Sequence, residues 1–230
     1  MRGELSSGKH AKRHPLDWYC EQEWVTYQLF HAMGGFAREK AAGLTIWDPA
    51  AGYGRTVVTF HAHGFATYLS DVVENVDWAE FKACTSAPAL PGFRNEDFLL
   101  IGEAPAPCTI VCNPPYSYIK GIAEAFARHA LSLASSRVCM LVPNKWLSSQ
   151  SRYALFMVDH PPFAVIHLTQ RPSMPPGDRI ELMGNRAFRG GMIDYCWIVW
   201  DVRRSTRPGE TRTVWLPSLG QVVTPIEGLD

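Results

Sequence analysis

Six short apolar runs, spaced by segments of helical periodicity, restrict this chain more than any other feature. LTIWD (44–48), FATYLSD (65–71), CTIVCN (108–113), VCMLVPN (138–144), FAVIHLT (163–169) and DYCWIVWDV (194–202) have strand length and are bounded by turn signals. Before the first, residues 22–39 place Trp24, Val25, Gln28, Leu29, Ala32 and Met33 near helical spacing, and Gly34-Gly35 weakens or ends that helix. Between the runs, RTVVTFHAHG reads as a helix stopped by Gly64, residues 72–84 read as helical, and IKGIAEAFARHALSLA (119–134) is strongly amphipathic. FRNEDFL (93–99) reads as a loop beside a short element. Strands alternating with helices predict an α/β fold with a parallel sheet and helices on both faces. In such a sheet ligands bind beyond the carboxyl ends of the strands, so the residues just past each strand carry the function.

Composition excludes several other readings. Of 230 residues, 47% are hydrophobic and 19% charged, enough apolar side chain to fill a core, which excludes global disorder. Lys plus Arg equals Asp plus Glu at 22 each, which excludes nucleic-acid binding by bulk charge alone. That zero hides an asymmetry. Residues 41–110 carry three basic and eight acidic residues, residues 111–170 five and two, and residues 171–212 eight arginines against five acids. The back half therefore suits an anionic partner on one side of the molecule. There is no run of eighteen apolar residues, so no transmembrane helix is expected, and the polar start MRGELSSGKHAKRH has no export signal. The expected organisation is a flexible tail over 1–16, one domain over 17–216 and a C-terminal tail over 217–230, in a cytoplasmic chain without a membrane partner. The cysteines at 20, 84, 108, 112, 139 and 196 form no Cys-x-x-Cys pair and read as small core residues. Neither a disulfide framework nor a metal site is expected from their spacing or that of the histidines.

Two strand ends carry chemistry. The first is DPAAGYG (48–54), where Gly52 and Gly54 permit a tight turn and a close backbone approach by a ligand before a helix whose first N–H groups are free. Asp71, ending the second strand 23 residues after Asp48, can accept from both hydroxyls of a ribose. A third glycine is missing, so a pyrophosphate is less favoured, and a lone Gly-x-Gly also fits a plain strand–turn–helix connection. The second strand end is NPPY (113–116). Pro114 and Pro115 fix the backbone and remove two N–H donors, leaving carbonyl acceptors beside the amide oxygen of Asn113 and the aromatic face of Tyr116. That set suits an amino group with two hydrogens on a flat ring.

Together these motifs resemble the S-adenosylmethionine-dependent amino-methyltransferases, above all the adenine-N6 DNA methyltransferases of the small phage or prophage style. The resemblance spans roughly residues 17–202 and implies a Rossmann-like class I methyltransferase fold with a mostly parallel seven-stranded sheet. It implies that Asp48, Pro49, Ala50, Gly52 and Gly54 form the cofactor loop and that Asn113, Pro114, Pro115 and Tyr116 form the catalytic motif, with Asn113 also bordering the cofactor. DWYCEQEW (17–24) is similar to the family's N-terminal motif, which would put Tyr19 and Glu21 near the methionine part of S-adenosyl-L-methionine; many relatives have Pro where this chain has Gln22. Asn95-Glu96-Asp97-Phe98 resembles the adenine-ring segment, with Asp97 accepting from the amino group and Phe98 stacking. The implied reaction yields S-adenosyl-L-homocysteine and a methylated adenine flipped out of duplex DNA, its ring held by the face of Tyr116.

The resemblance also implies a groove contact from the loop after FAVIHLT. Residues 171–191 contain Arg171, Arg179, Arg186 and Arg189, suited to phosphates and guanine edges, while many relatives carry an aromatic where this chain has Met174. Arg203, Arg204 and Arg207 extend the expected basic face. Little chain remains for a separate recognition domain, so a short target site is expected, with a homodimer as one way to enlarge the contact. The same chemistry could act on adenine in RNA, cytosine N4 or a protein glutamine amide. Cytosine enzymes of this type usually carry Ser or Asp in place of Asn113. A non-catalytic binding module on this fold would have no use for NPPY. His61 and His63 read as surface or packing residues, Trp197 and Trp200 as core, and Lys145 and Trp146 as residues at the cleft edge.

Overall fold

Strands begin and end close to the apolar runs. The structure, a computed structural model, describes residues 14–74, 93–116 and 118–229. Its strands are β1 (Thr45–Asp48), β2 (Thr67–Asp71), β3 (Arg94–Asn95), β4 (Cys108–Cys112), β5 (Arg137–Pro143), β6 (Ala164–Leu168), β7 (Tyr195–Asp201) and β8 (Arg212–Leu216). They form one sheet in the order β3-β2-β1-β4-β5-β7-β6-β8, with β7 antiparallel to both neighbours and every other pair parallel. The sheet thus has eight strands rather than the expected seven. The extra one, β8, runs parallel to β6 at the edge and alternates exposed and half-buried residues before Leu216, so it lacks the apolar continuity that marks the buried strands.

The pleat divides the core. On one face Ile46, Val111, Leu141, Trp197 and Val199 pack with Val25, Leu29 and Phe30 of helix α1 (Glu23–Ala32), with Phe36, and with Phe60 of helix α3 (Arg55–Ala62). On the other, their strand neighbours Trp47, Ile110, Met140, Ile198 and Trp200 pack with Phe126 and Ala127 of helix α4 (Ile122–Leu133). Trp197 and Trp200 are core residues as expected, on opposite faces. The expected helix over 22–39 is broken: Gly34–Phe36 forms a 3-10 turn with Gly35 at φ 69°, and helix α2 (Ala37–Ala41) restarts at a new angle. Residues 217–229 run back to α1, where Ile226 N donates to Ala32 O and Leu229 is buried. Cys20, Cys108, Cys112, Cys139 and Cys196 are buried free thiols, while Cys84, most of the helix expected over 72–84, and residues 1–13 of the expected N-terminal tail lie outside the described residues. Among the described residues no helix is long and apolar enough to cross a membrane.

The chain order reverses between β1 and β4. From β1 the sheet continues through β2 to β3, and from β4 through β5 to β7. The connections leaving β1 and β4 therefore part to opposite sides and leave a crevice at their carboxyl ends. The long loop between β6 and β7 starts at this same edge, because β6 runs antiparallel to β7 and Tyr195 at the start of β7 pairs with Pro143 at the end of β5. Arg203, Arg204 and Arg207 come after the far end of β7, where Asp201 pairs with Arg137 at the start of β5. They lie at the opposite end of the sheet from the crevice. Arg204 covers Phe163, Arg203 Nε donates to Ser135 O, and Arg207 faces Glu210, so these three do not extend the basic face of the 171–191 loop.

Candidate active site

A cleft of about 970 Å³, counted with its open mouth, occupies the switch point and is lined by both strand ends. Asp48, Pro49, Ala50, Gly52, Asp71, Asp97, Phe98, Asn113 and Pro115 border it, as do Tyr19 and Glu21 from the segment before α1. Gly54, with φ 67°, instead precedes the first turn of α3 and accepts from Val58 N. Gly52 has φ 47°, and a Cβ there would come within 2.9 Å of Trp18 Nε1. Glycine is thus required by both the turn and the indole lying over it.

The cleft is acidic. Glu21 and Asp48 are 6% and 2% exposed, and Asp71 is half-buried. Burial, then the charge of Glu21, pushes the Asp48 carboxyl well above the usual carboxylate range. Burial raises Asp71 as well, against N–H donors from Gly52, Val73 and Val72. Gly52 N reaches Asp71 Oδ2 at 3.0 Å, tying the end of β2 to the glycine turn and leaving other carboxylate lone pairs to a ligand. Among the described residues lining the cleft, Arg55 is the single cationic one. Such a wall favours a ligand with net positive charge and hydroxyl donors.

At the second strand end, both amide hydrogens of Asn113 are committed. Nδ2 donates to Tyr19 O at 2.9 Å and to Glu21 Oε2 at 2.9 Å, and Glu21 Oε1 accepts from Thr56 Oγ1 at 3.2 Å. Because the Tyr19 carbonyl can only accept, the amide orientation is set and Oδ1 is the accepting side of the group. The Tyr116 hydroxyl donates to Asn113 Oδ1 and also lies 3.2 Å from Leu141 O, so its one proton can serve either acceptor. Burial pushes this phenol well above its usual range, which keeps it a donor.

Several expected site residues are placed differently from the sequence expectation. The Tyr116 ring packs between the two cores, 6.2 Å from the Tyr195 ring, and Tyr118 rather than Tyr116 borders the cleft. Phe98 is 1% exposed, its ring against Trp47 and Phe126, while the Asp97 carboxylate accepts from Leu99 N. Pro114 is buried beneath the motif. Neither Lys145 nor Trp146 is among the lining residues. Met174 packs against the first core, and His63 packs on Phe30 with ring centroids 4.1 Å apart. In the 171–191 loop, Arg171 pairs with Asp194 at 2.6 Å, whereas Arg179, Arg186 and Arg189 are exposed without an ion pair among the described residues.

Sequence reasoning did not single out Asp17, Trp18 or Tyr118. Asp17, 6% exposed with φ 53°, accepts at Oδ2 from Tyr116 N at 3.2 Å and Tyr118 N at 2.7 Å. Trp18 stacks on Tyr53 at 5.3 Å, and its buried Nε1 has no partner among the described residues. The only sequence signals were the position of Asp17 and Trp18 inside DWYCEQEW and of Tyr118 two residues after NPPY.

No family model and no curated protein matches the chain. Solved structures do. A Listeria monocytogenes protein provisionally assigned as a class I S-adenosylmethionine-dependent methyltransferase aligns at a TM-score of 0.57 and 15% identity, over 93% of this chain and 70% of its own. A Pyrococcus horikoshii protein provisionally assigned as an RNA methyltransferase aligns at 0.55 and 13%, over 84% of this chain and 90% of its own. A Thermoplasma acidophilum protein aligns at 0.50 and 14%, over 76% and 88%. At these identities the likeness is one of fold. With the reversal between β1 and β4, the single antiparallel strand β7 and the cleft at the carboxyl ends, the chain has the Rossmann-like fold of class I S-adenosylmethionine-dependent methyltransferases.

Proposed function

We propose that this protein transfers the methyl group of S-adenosyl-L-methionine to the N6 amino group of adenine in DNA, releasing S-adenosyl-L-homocysteine. The observation that carries this reading is the commitment of both Asn113 amide hydrogens to Tyr19 and Glu21, which makes the residue an acceptor and nothing else. The two prolines after it offer no N–H, so the motif can bind a substrate that donates and not one that accepts. An exocyclic –NH2 is such a donor. The cleft fits the cofactor on two further counts. Its carboxylates Glu21, Asp48 and Asp71 match a ligand whose sulfonium and ammonium outweigh its one carboxylate, and Arg55 is the cation among its described lining residues that could meet that carboxylate.

When bound, the cofactor supplies an electrophilic methyl carbon; the weak partner is the amino nitrogen, whose lone pair is delocalised into the ring. Asn113 Oδ1 and the Pro114 carbonyl would accept its two hydrogens and draw the nitrogen toward tetrahedral geometry, so the lone pair localises and can take the methyl as the sulfur–carbon bond breaks; the nitrogen, then cationic, loses one proton to solvent. Tyr116 releases Oδ1 by turning its proton to Leu141 O. The chain's task is positioning and charge stabilisation, without a strong general base.

Three outcomes check the cofactor residues and the nucleic-acid face. Asp71→Ala should weaken cofactor affinity roughly tenfold by calorimetry, the size of a lost hydrogen-bonded charged group. In the wild type, affinity for the cationic cofactor should fall as pH drops, because protonation removes the attracting charge. With the Asp48 and Asp71 carboxyls raised, that fall should begin above the ordinary carboxylate range of ~4. A flat profile down to that range would remove these groups from cofactor binding. Arg186→Glu with Arg189→Glu should weaken duplex DNA binding roughly tenfold or more and flatten its salt dependence; unchanged affinity would remove the loop from the reading. Labelled cofactor offered in parallel to duplex DNA, single strands, RNA and protein extract, with the methylated product identified by mass, tests the substrate. Label on RNA, cytosine or glutamine in place of DNA adenine would overturn it.

A further inference from the structure

Residues Asp17–Gln22 lie between three parts of the molecule that do not otherwise adjoin in sequence. On one side Asp17, Trp18, Tyr19, Cys20 and Glu21 border the cleft. On a second, Asp17 accepts from the backbone after NPPY, and Tyr19 and Glu21 hold Asn113. On the third, the segment is laced to the arginine-bearing loop like a short strand. Cys20 N donates to Pro175 O at 3.0 Å, Gly177 N donates to Trp18 O at 3.1 Å, and Tyr19 bridges Pro176. A Cβ on Gly177 would collide with the Trp18 indole, so the loop backbone lies directly against that ring. Gln22 closes the lacing with both ends of its amide: Nε2 donates to Phe188 O at 3.2 Å and Oε1 accepts from Ser173 N at 3.1 Å. Those two partners lie fifteen residues apart, so one side chain gathers both limbs of the loop.

From this juxtaposition we infer that the Asp17–Gln22 strap transmits occupation of the cleft to the 171–191 loop, with Gln22 as the positioning residue that joins them. The inference rests on the proposed binding of the cofactor in the cleft. A ligand in the cleft rests against one side of the strap and restricts it. The loop paired to its other side then loses freedom, so the arginines are held in place when the cofactor is present and loosened when it is absent. Coupling of this kind is reciprocal: whatever fixes the loop also tightens cofactor binding.

Limited trypsin digestion reads the loop directly, since Arg179, Arg186 and Arg189 are exposed. The probe is S-adenosyl-L-homocysteine at saturation, with binding measured by calorimetry. In the wild type, cleavage after these arginines should slow about fivefold or more, at the low end of usual coupling factors. Cleavage after Arg203 and Arg204, at the far end of the sheet, should not change, which separates loop ordering from global stabilisation. In Gln22→Ala the protection should fall below about twofold while affinity stays within about threefold of wild type. Gln22→Glu keeps the acceptor for Ser173 N and loses the donor to Phe188 O. It should give partial protection, and carries the test if the alanine variant does not fold. Binding without protection in the wild type, or equal protection in wild type and both Gln22 variants, overturns the strap alone. Absence of binding overturns the cofactor reading and the strap with it.

Discussion

Asn113→Ala should lower the single-turnover rate of methyl transfer about 10³-fold or more and leave cofactor affinity within about threefold. The rate loss is the size observed when one preorganised hydrogen-bonding group aimed at developing charge is removed. Asn113 is such a group because its orientation is settled before substrate arrives: Tyr19 O and Glu21 Oε2 hold the –NH2 end, so only the Tyr116 hydroxyl proton has to turn for Oδ1 to be presented. Alanine removes the oriented amide oxygen and leaves the Tyr116 hydroxyl, a donor, in its place. Cofactor affinity survives because Glu21 keeps its bond from Thr56, and Asp48 and Asp71 have partners of their own in Ala50 N and Gly52 N. Wild-type turnover in this variant would falsify the catalytic assignment. A rate loss matched by an equal loss of affinity would instead assign Asn113 to cofactor binding.

The largest effect on stability is expected far from the cleft. Arg137, at the start of β5, and Glu39, on α2, are both fully buried, with Arg137 Nη1 3.0 Å from Glu39 Oε2. Glu39 Oε1 accepts from Ser136 Oγ at 2.7 Å, and Arg38 joins the group to Asp201 at 2.8 Å. Glu39→Ala would leave the Arg137 guanidinium buried, with Asp201 at 3.9 Å and the Phe36 ring at 5.8 Å as its nearest compensation. Breaking a buried pair from one side costs about 3–5 kcal/mol, because the remaining charge stays desolvated. For a chain of this size that corresponds to a fall in Tm of about 6–20 °C by calorimetry. Cofactor affinity, measured below that transition, should not change, since the network lies at the opposite end of the sheet. A Tm within about 2 °C of wild type would show that water or a closer approach of Asp201 to Arg137 replaces the lost carboxylate.

Those two sites differ in how far the chain alone discloses them. NPPY after an apolar strand is visible, and so is its acceptor character, because proline chemistry and strand periodicity are local. The buried pair is not. Arg137 and Glu39 are 98 residues apart, and in sequence Arg137 reads as one more surface arginine flanking a strand. Burial, the property that makes the pair matter, is conferred only when α2 docks across the edge of β5.

The alternation of apolar runs and amphipathic segments was enough to specify the α/β class, the order of the elements and the two strand ends that border the cleft, because side-chain period and turn chemistry act over a few residues. Tertiary structure alone decided which groups hold the Asn113 –NH2 and that Tyr116 faces inward while Tyr118 borders the cleft. It also set the far-end position of Arg203 and Arg204, and the lacing of the DWYCEQEW segment to the arginine loop. Each of these depends on contacts between residues tens to more than a hundred positions apart, or on the reversed direction of β7. No periodicity in the chain records which carbonyl a given amide will meet, because that is settled by the packing of whole elements against both faces of the sheet.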